Sequence, residues 1–295
     1  MGLENFSSPQ GPGANLFTIR LQINFQKPID KIRKVCYNIY ITKRERGNLK
    51  PMNNIDHRIH YIMMMDTETA NTLTREDGSL DMTSVFVYDI GWQVTDKRGT
   101  VYEQKSYIVK EIFFGEKQLM QSAYYAKKIP QYMQEIAEGK RIVASYYEIR
   151  KDFWNTMERY DTNTVCAHNA GFDYRATNTT QRWLTKSKYR YFLPYGAEVW
   201  DTMKMARDVI SHTPSYIKFC EENGFMTKHK TPRPRLTAEI LYRYITGNMD
   251  FEESHTGLED VDIERQIMAY CFAKHKPMAK GAWEKSHYTK VEAVN

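Results

Sequence analysis

The sequence predicts an α/β fold in which a mixed β-sheet is flanked by helices. Three strand-like segments come first, then short strands alternate with helices, and the final third of the chain is helical. Consecutive strands joined by turns favour antiparallel pairing, whereas a strand reached through a helix pairs in parallel. Both kinds of connection occur in this chain, which is why we expect a mixed sheet.

The three early strands are predicted at residues 60–66, 84–95 and 101–114, where apolar and β-branched residues dominate. Short strands are predicted at residues 162–168 and 197–200. Helices are predicted at residues 116–128, 130–138, 144–160, 172–184, from 201, 215–223, 236–245 and 255–275. Pro130 is expected to separate the first two of these helices.

The net charge of +6 comes from 42 Lys and Arg against 36 Asp and Glu over 295 residues. Residues 1–51 hold nine basic and three acidic residues, so 9 − 3 accounts for the whole excess. We therefore divide the chain into a basic N-terminal extension (1–51), a main domain (52–281) and a polar tail (282–295). Two hypotheses for the extension stay open: translation from an upstream start that the cell does not use, or an accessory segment that docks nucleic acid or a polymerase.

Composition excludes several classes of protein. The chain is 41% hydrophobic and 13% aromatic, which excludes disorder over its whole length. Its longest apolar run, residues 61–65, is far below the ~18 residues of a membrane helix, and no secretory signal is evident. We expect a cytoplasmic protein with no membrane partner. The four cysteines form no C-x-x-C pair, so we expect them to be buried apolar residues rather than ligands or disulfides.

The first acidic motif is Asp66-Thr67-Glu68, at the end of an apolar strand. Side chains alternate along a strand, so Asp66 and Glu68 point to the same face as Met64. Two carboxylates at the core side of a strand repel each other, and a divalent cation between them removes that repulsion. The alternative is a loop entry where both acids face water.

The second motif runs from His168 through Asn169, a turn and Phe172 to Asp173. It follows a short strand, which places Asp173 in the first turn of a helix. There the carboxylate either complements the helix dipole or reaches a metal ion shared with Asp66. We expect His168 to be structural rather than catalytic.

The third motif begins at His255 and ends at Asp260, at the start of a helix. Asp260 shares one helical face with Ile263, Ile267 and Cys271, because these residues recur at spacings of three and four. A carboxylate on a core-facing stripe is costly unless it is paired or bound to metal. His255 can accept a proton from water near neutral pH. An ordinary helix start with a solvated His255 is the alternative.

Together the three motifs resemble the DnaQ-like DEDDh family of 3′–5′ exonucleases, which includes proofreading subunits, ribonuclease T and oligoribonuclease. The resemblance covers residues from about 58 to 277, and the chain looks similar to stand-alone or phage-encoded members. It implies a ribonuclease H-like fold in which Asp66, Glu68, Asp173 and Asp260 hold two divalent ions, Mg²⁺ or Mn²⁺. It also implies that His255 is the general base and that 5′-mononucleotides are released from 3′ ends.

Substrate contacts are predicted at two places. Thr67, Asn169 and Phe172 lie within the motifs, although Phe172 also fits a core position. A loop rich in basic residues offers phosphate contacts, or is simply solvated; its residues are Lys228, Lys230, Arg233 and Arg235.

The expected partners are 3′ ends of single-stranded DNA or RNA, with a polymerase or a second copy of the chain as further partners. Two other functions stay open. One is a proofreading subunit that depends on a polymerase, and the other is a non-catalytic nucleic-acid-binding module on the same fold.

Overall fold

The computed structural model of the chain describes residues 55–70, 76, 78, 81–123, 126–186 and 190–287. The predicted extension (1–51) lies outside the described residues, as does the polar tail from residue 288 onward.

One mixed sheet forms the centre of the described part. Its strands are β1 (Ile62–Ala70), β2 (Phe86–Thr95), β3 (Val101–Val109), β4 (Ile142–Ala144), β5 (Thr164–Ala167) and β6 (Glu198–Asp201). They lie in the order β4-β3-β2-β1-β5-β6. The β1–β2 and β2–β3 pairs are antiparallel, and β5 is parallel to both β1 and β6. The predicted mixed sheet is confirmed.

Helices flank this sheet, as predicted. They are α1 (Lys110–Phe113), α2 (Lys117–Ser122), α3 (Ile129–Ala137), α4 (Tyr146–Arg159), α5 (Gly171–Leu184), α6 (Thr202–Val209), α7 (Pro214–Glu222), α8 (Ala238–Thr246) and α9 (Gly257–Ala273). Among the described residues, no helix combines the length and the apolar character that a membrane span requires.

Two predicted boundaries near the edge strand are wrong. The third strand ends at Val109 rather than at residue 114, because the buried residues Ile112 and Phe113 belong to the short helix α1. Ala144 ends strand β4, which pairs in parallel with β3, instead of starting a helix. The helix begins after Ser145, whose hydroxyl accepts a hydrogen bond from the Glu148 main chain in a capping box.

The helix predicted to begin at Pro130 begins one residue earlier, at Ile129. A short 3-10 helix, Ala126–Lys128, precedes α3, and Pro130 lies in the first turn of α3. The missing N–H of proline has no partner to lose at that position.

The central strand β1 is buried on both faces. Ile62 and Met64 belong to one apolar cluster, and the alternating residues Met63 and Met65 belong to another on the opposite side of the sheet. This double burial explains the run of apolar residues at 61–65. The cysteines within the described residues are buried, as expected; they are Cys166, Cys220 and Cys271.

Candidate active site

The three motifs meet at the end of the sheet toward which the inner strands β1 and β5 run. Asp66 and Glu68 lie on β1, Asp173 lies in the first turn of α5, and Asp260 lies in the first turn of α9. Because β5 runs parallel to β1, the turn after β5 that leads to Asp173 lies beside the second half of β1. Asp66 and Glu68 lie within this half and not at the predicted strand end, because β1 stays paired with β2 as far as Ala70.

Three of the predicted site residues approach one another closely. Ligand atoms of Glu68, His255 and Asp260 all lie within 4.8 Å of one another. These residues come from a strand and from a helix start about 190 positions later in the sequence. The fold therefore places two acids and an imidazole around one small volume.

Asp173 is held by a side chain of the first motif. The Thr67 hydroxyl donates to Asp173 Oδ1 at 2.7 Å, and both residues are buried. Thr67 lies between the two acids of β1, so this hydrogen bond joins the first motif to the second.

The pKa values of the four carboxylates are raised above the ordinary range. Burial raises the pKa of Glu68 to about 9, and the nearby Asp260 carboxylate adds to the rise. Burial, with Glu253 next in effect, raises the pKa of Asp260 to about 8. Burial also raises the pKa of Asp173 to about 7. For Asp66 the pKa lies well above its ordinary value, because of burial and then of its acidic neighbours.

These acids form a donor set that suits a hard divalent cation. The positive charge of Lys128 lowers the pKa of Glu68 and of Asp260, yet both values stay raised. A bound ion would supply the further positive charge that these carboxylates need. Carboxylate oxygens are the ligands preferred by Mg²⁺ and Mn²⁺. The residues present therefore fit a divalent metal centre.

His255 lies at the rim of this cluster, with its side chain 39% exposed. His255 lies two residues before α9 begins, and its backbone has a left-handed φ of 51°. Partial burial, followed by the positive charge of Lys128, lowers the pKa of His255. The neutral imidazole, the form that can accept a proton, is therefore favoured at neutral pH.

The start of α9 packs directly against the β2 backbone. A Cβ on Gly91 would lie 2.3 Å from the Leu258 main-chain nitrogen, and a Cβ on Gly257 would lie 2.8 Å from the Gly91 nitrogen. Glycine at both positions lets the helix that carries Asp260 approach the sheet this closely. Neither glycine was among the predicted site residues.

A buried polar network also holds the start of α9. Asp89 is fully buried on β2 and accepts hydrogen bonds from the Gly257 N–H at 3.1 Å and from Arg141 Nη1 at 2.9 Å. Arg141 Nη2 also donates to Glu259, which accepts from the Thr256 hydroxyl. Neither Asp89 nor Arg141 was among the predicted site residues, although an aspartate within an apolar strand was a signal for this network.

The second motif is anchored through its backbone and its histidine. Both ring nitrogens of His168 are hydrogen bonded, to the Thr202 hydroxyl at 2.8 Å and to the Leu236 carbonyl at 2.7 Å. His168 is therefore structural, as predicted. Asn169 adopts a left-handed φ of 59°, and its N–H donates to the Asp201 carboxylate.

The predicted substrate residues lie in different settings. Asn169 is exposed, and Phe172 is half-buried against the main apolar cluster. The basic loop is exposed and closes as a small hairpin through a bridge between Met226 and Pro234. The side chains concerned are Lys228, Lys230, Arg233 and Arg235. The loop ends next to Leu236, the residue whose carbonyl contacts His168.

One buried acid near the site was missed altogether. Glu264 lies on α9, one turn beyond Asp260, and is only 3% exposed. Its helical spacing from Asp260 was a usable signal, since i and i+4 share a face.

Comparison with known proteins gives no match to any protein-family model and no match among curated proteins. Solved structures do match. A 3′-exonuclease described in 3′-end specific recognition of a histone mRNA stem-loop has a TM-score of 0.50 and 13% identity, covering 76% of this chain and 87% of that chain. The nuclease domain of 3′hExo, a DEDDh family member bound to rAMP, has a TM-score of 0.49 and 13% identity, with 77% and 98% covered.

A third match is E. coli exonuclease I in complex with an oligonucleotide, with a TM-score of 0.42 and 14% identity, covering 74% of this chain and 41% of that chain. The match at a TM-score of 0.50 shows the architecture without showing the activity. The chain has the ribonuclease H-like α/β fold of that 3′-exonuclease.

Proposed function

We propose that this protein is a divalent-metal-dependent 3′–5′ exonuclease that releases 5′-mononucleotides. The observation that carries the proposal is the meeting of Glu68, Asp260 and His255 within 4.8 Å, beside Asp66 and Asp173. These are the five residues at which the sequence resembles the DEDDh family.

The metal-holding residues in this proposal are Asp66, Glu68, Asp173 and Asp260, with Mg²⁺ or Mn²⁺ as the ions and two ions per site. When bound, such ions neutralise developing charge on the phosphodiester and favour ionisation of water. The Thr67 hydroxyl supports this set, because its hydrogen bond to Oδ1 fixes the orientation of the Asp173 carboxylate.

His255 moves the proton in the proposed reaction. Its Nδ1 lies 3.9 Å from Glu253 Oε2, so we assign proton transfer from water to Nε2. The water oxygen forms a bond to the terminal phosphorus, and the bond from phosphorus to the 3′ oxygen of the preceding nucleotide breaks. That 3′ oxygen takes up a proton from solvent and leaves as a hydroxyl. The low pKa of His255 keeps the ring ready to accept this proton at neutral pH.

The substrate in this proposal is the 3′ end of a single-stranded DNA or RNA. Thr67, Asn169 and Phe172 would contact the terminal nucleotide, and the basic loop would contact phosphates further along the strand. Dependence on a polymerase or on a second copy of the chain stays a prediction.

The test is parallel digestion of single-stranded DNA, single-stranded RNA, duplex and dinucleotides, each with a 3′ label, in Mg²⁺ and in EDTA. We expect labelled mononucleotide as the first product in Mg²⁺ and none in EDTA. Asp66→Ala should abolish release, whereas the control Asp262→Asn, on the same helix as Asp260 but paired with Arg265, should not.

Digestion by Asp66→Ala at the wild-type rate would contradict the proposal. Tight strand binding without any cleavage in Mg²⁺ would instead favour the non-catalytic binding module.

A further inference from the structure

Glu264 is a buried acid that the proposed mechanism does not use. It follows Asp260 by one helical turn on α9, so the two side chains leave the helix on the same face. Its exposed fraction is 3%, similar to the 4% of Asp260. Glutamate is rarely buried to this extent unless its charge is compensated.

The polar contacts of Glu264 point toward the site. The main-chain N–H of His168 donates to its carboxylate. His168 directly follows β5 and precedes the turn that leads to Asp173, so Glu264 lies between the second and third motifs. Its other oxygen, Oε2, is buried without a hydrogen-bond partner among the described residues.

The charged neighbours of Glu264 belong to the same acidic cluster. Burial raises the pKa of Glu264 well above its ordinary value, and Asp173 and Asp260 are the next causes. In turn, Glu264 is the strongest charged contributor to the raised pKa of Asp66. Glu264 therefore acts on acids from all three motifs.

A buried carboxylate with one unpartnered oxygen is costly on its own. A cation among the same acids would remove the cost by supplying both a ligand partner and opposite charge. A neutral, protonated Glu264 with a purely structural role is the competing explanation, and it predicts that an uncharged isostere works equally well.

We infer that Glu264 is a fifth carboxylate of the divalent-cation site, whose unpartnered Oε2 faces the ion-binding volume shared by Asp66, Asp173 and Asp260. The inference rests on the proposed metal-dependent function and adds a residue to its cation-binding set. Its position on α9 lets a single helix present two acids, one turn apart, to that volume.

The test is titration of the full-length protein with Mn²⁺ by isothermal calorimetry, for wild type, Glu264→Gln and Asp262→Asn. Glutamine keeps the size of the side chain and an oxygen that accepts from the His168 N–H, but it removes the charge. We expect Glu264→Gln to weaken Mn²⁺ binding by about tenfold or more, in the range that residues supporting a metal site show. Asp262→Asn, on the same helix and 44% exposed, should bind as wild type does.

Thermal unfolding in EDTA gives a second and independent readout. If the charge of Glu264 serves an ion, Glu264→Gln should unfold at the same or a higher temperature than wild type when no ion is present. Misfolding or a clear fall in Tm in EDTA would show a structural role and overturn the inference.

The outcomes separate the inference from the proposed function. A wild-type protein that binds no Mn²⁺ overturns both. A wild-type protein that binds Mn²⁺ while Glu264→Gln binds equally tightly overturns only the role of Glu264.

Discussion

Gly91 of β2 and Gly257 of α9 lie in main-chain contact, so that neither position has room for a side chain. This contact presses the first turn of α9 against the centre of the sheet. Asp260 lies in that turn and His255 comes just before it, whereas Asp66 and Glu68 lie on the neighbouring strand β1. The distance between the first and third motifs therefore depends on Gly91, which belongs to neither motif, and on Gly257, which lies within the third.

We expect Gly91→Ala to destabilise the protein by about 3 kcal/mol, at the upper end of the cost of overpacking, because the Cβ would meet backbone rather than a movable side chain. Mn²⁺ affinity should fall as well, since α9 must shift away from β1. Urea unfolding and Mn²⁺ titration measure the two effects.

Gly171→Ala is the matched control. Its Cβ would meet nothing closer than Arg175 Nη1 at 3.4 Å, an ordinary contact. If both glycine variants unfold at the same urea concentration, the close approach of α9 to β2 does not matter for stability.

Arg141 should be needed for stability, because it compensates the charge of the buried Asp89 beside it. We expect Arg141→Met to cost about 3–5 kcal/mol, as when one partner of a buried ion pair is removed. Adding Asp89→Asn should restore part of that loss, because the uncompensated charge disappears. A double-mutant cycle by urea denaturation measures the coupling, and strictly additive losses would contradict it.

The Thr67 hydroxyl should stabilise the folded protein through its hydrogen bond to Asp173. Thr67→Val removes the hydrogen bond to Asp173 Oδ1 and should lower the free energy of unfolding by about 1.5–3 kcal/mol in saturating Mg²⁺, the range for a bond to a charged group. Thr67→Ser keeps the donor and should recover most of that stability. If the serine and valine variants are equally unstable, the methyl group rather than the hydroxyl is what counts.

His255→Asn should separate chemistry from folding. Asparagine tolerates the left-handed backbone at this position, so we expect little change in stability. Removal of the proton acceptor should reduce kcat by about 10²–10⁴-fold. Mn²⁺ affinity within a few-fold of wild type shows that the cation site survives, and a kcat near that of wild type would exclude His255 as the base.

Stability without metal should fall as pH rises. The folded-state pKa values of about 7 for Asp173 and about 8 for Asp260 exceed the ordinary carboxyl value of ~4, so the folded protein binds more protons than the unfolded chain. The stability that Asp173 and Asp260 contribute is therefore fully present below pH ~4. It is lost as the pH rises toward 8.

Saturating Mg²⁺ should flatten this dependence, because the ion takes the place of the protons. Tm measured from pH 5 to pH 8 in EDTA and in Mg²⁺ checks the prediction. Parallel curves in the two conditions would contradict it.

The sequence by itself determined the fold class and which acids to consider. The apolar run at 61–65 marked β1 as a strand, and helical spacing marked the buried stripe that begins at Asp260. Both patterns are local periodicities, of two residues in a strand and 3.6 in a helix. They can be read from one segment without knowing which segments pack against it. Errors arose where strand and helix give the same short apolar pattern, as at Ile112 and Phe113.

Only the tertiary structure decided how the motifs meet. The Gly91–Gly257 contact, the Asp89–Arg141 pair and the Thr67–Asp173 hydrogen bond join residues far apart in sequence. Such pairs leave no periodic trace along the chain, because each depends on the register of strands and on the distance between a helix and the sheet. The site thus combines acids that were visible as motifs with a geometry that long-range packing imposes on them.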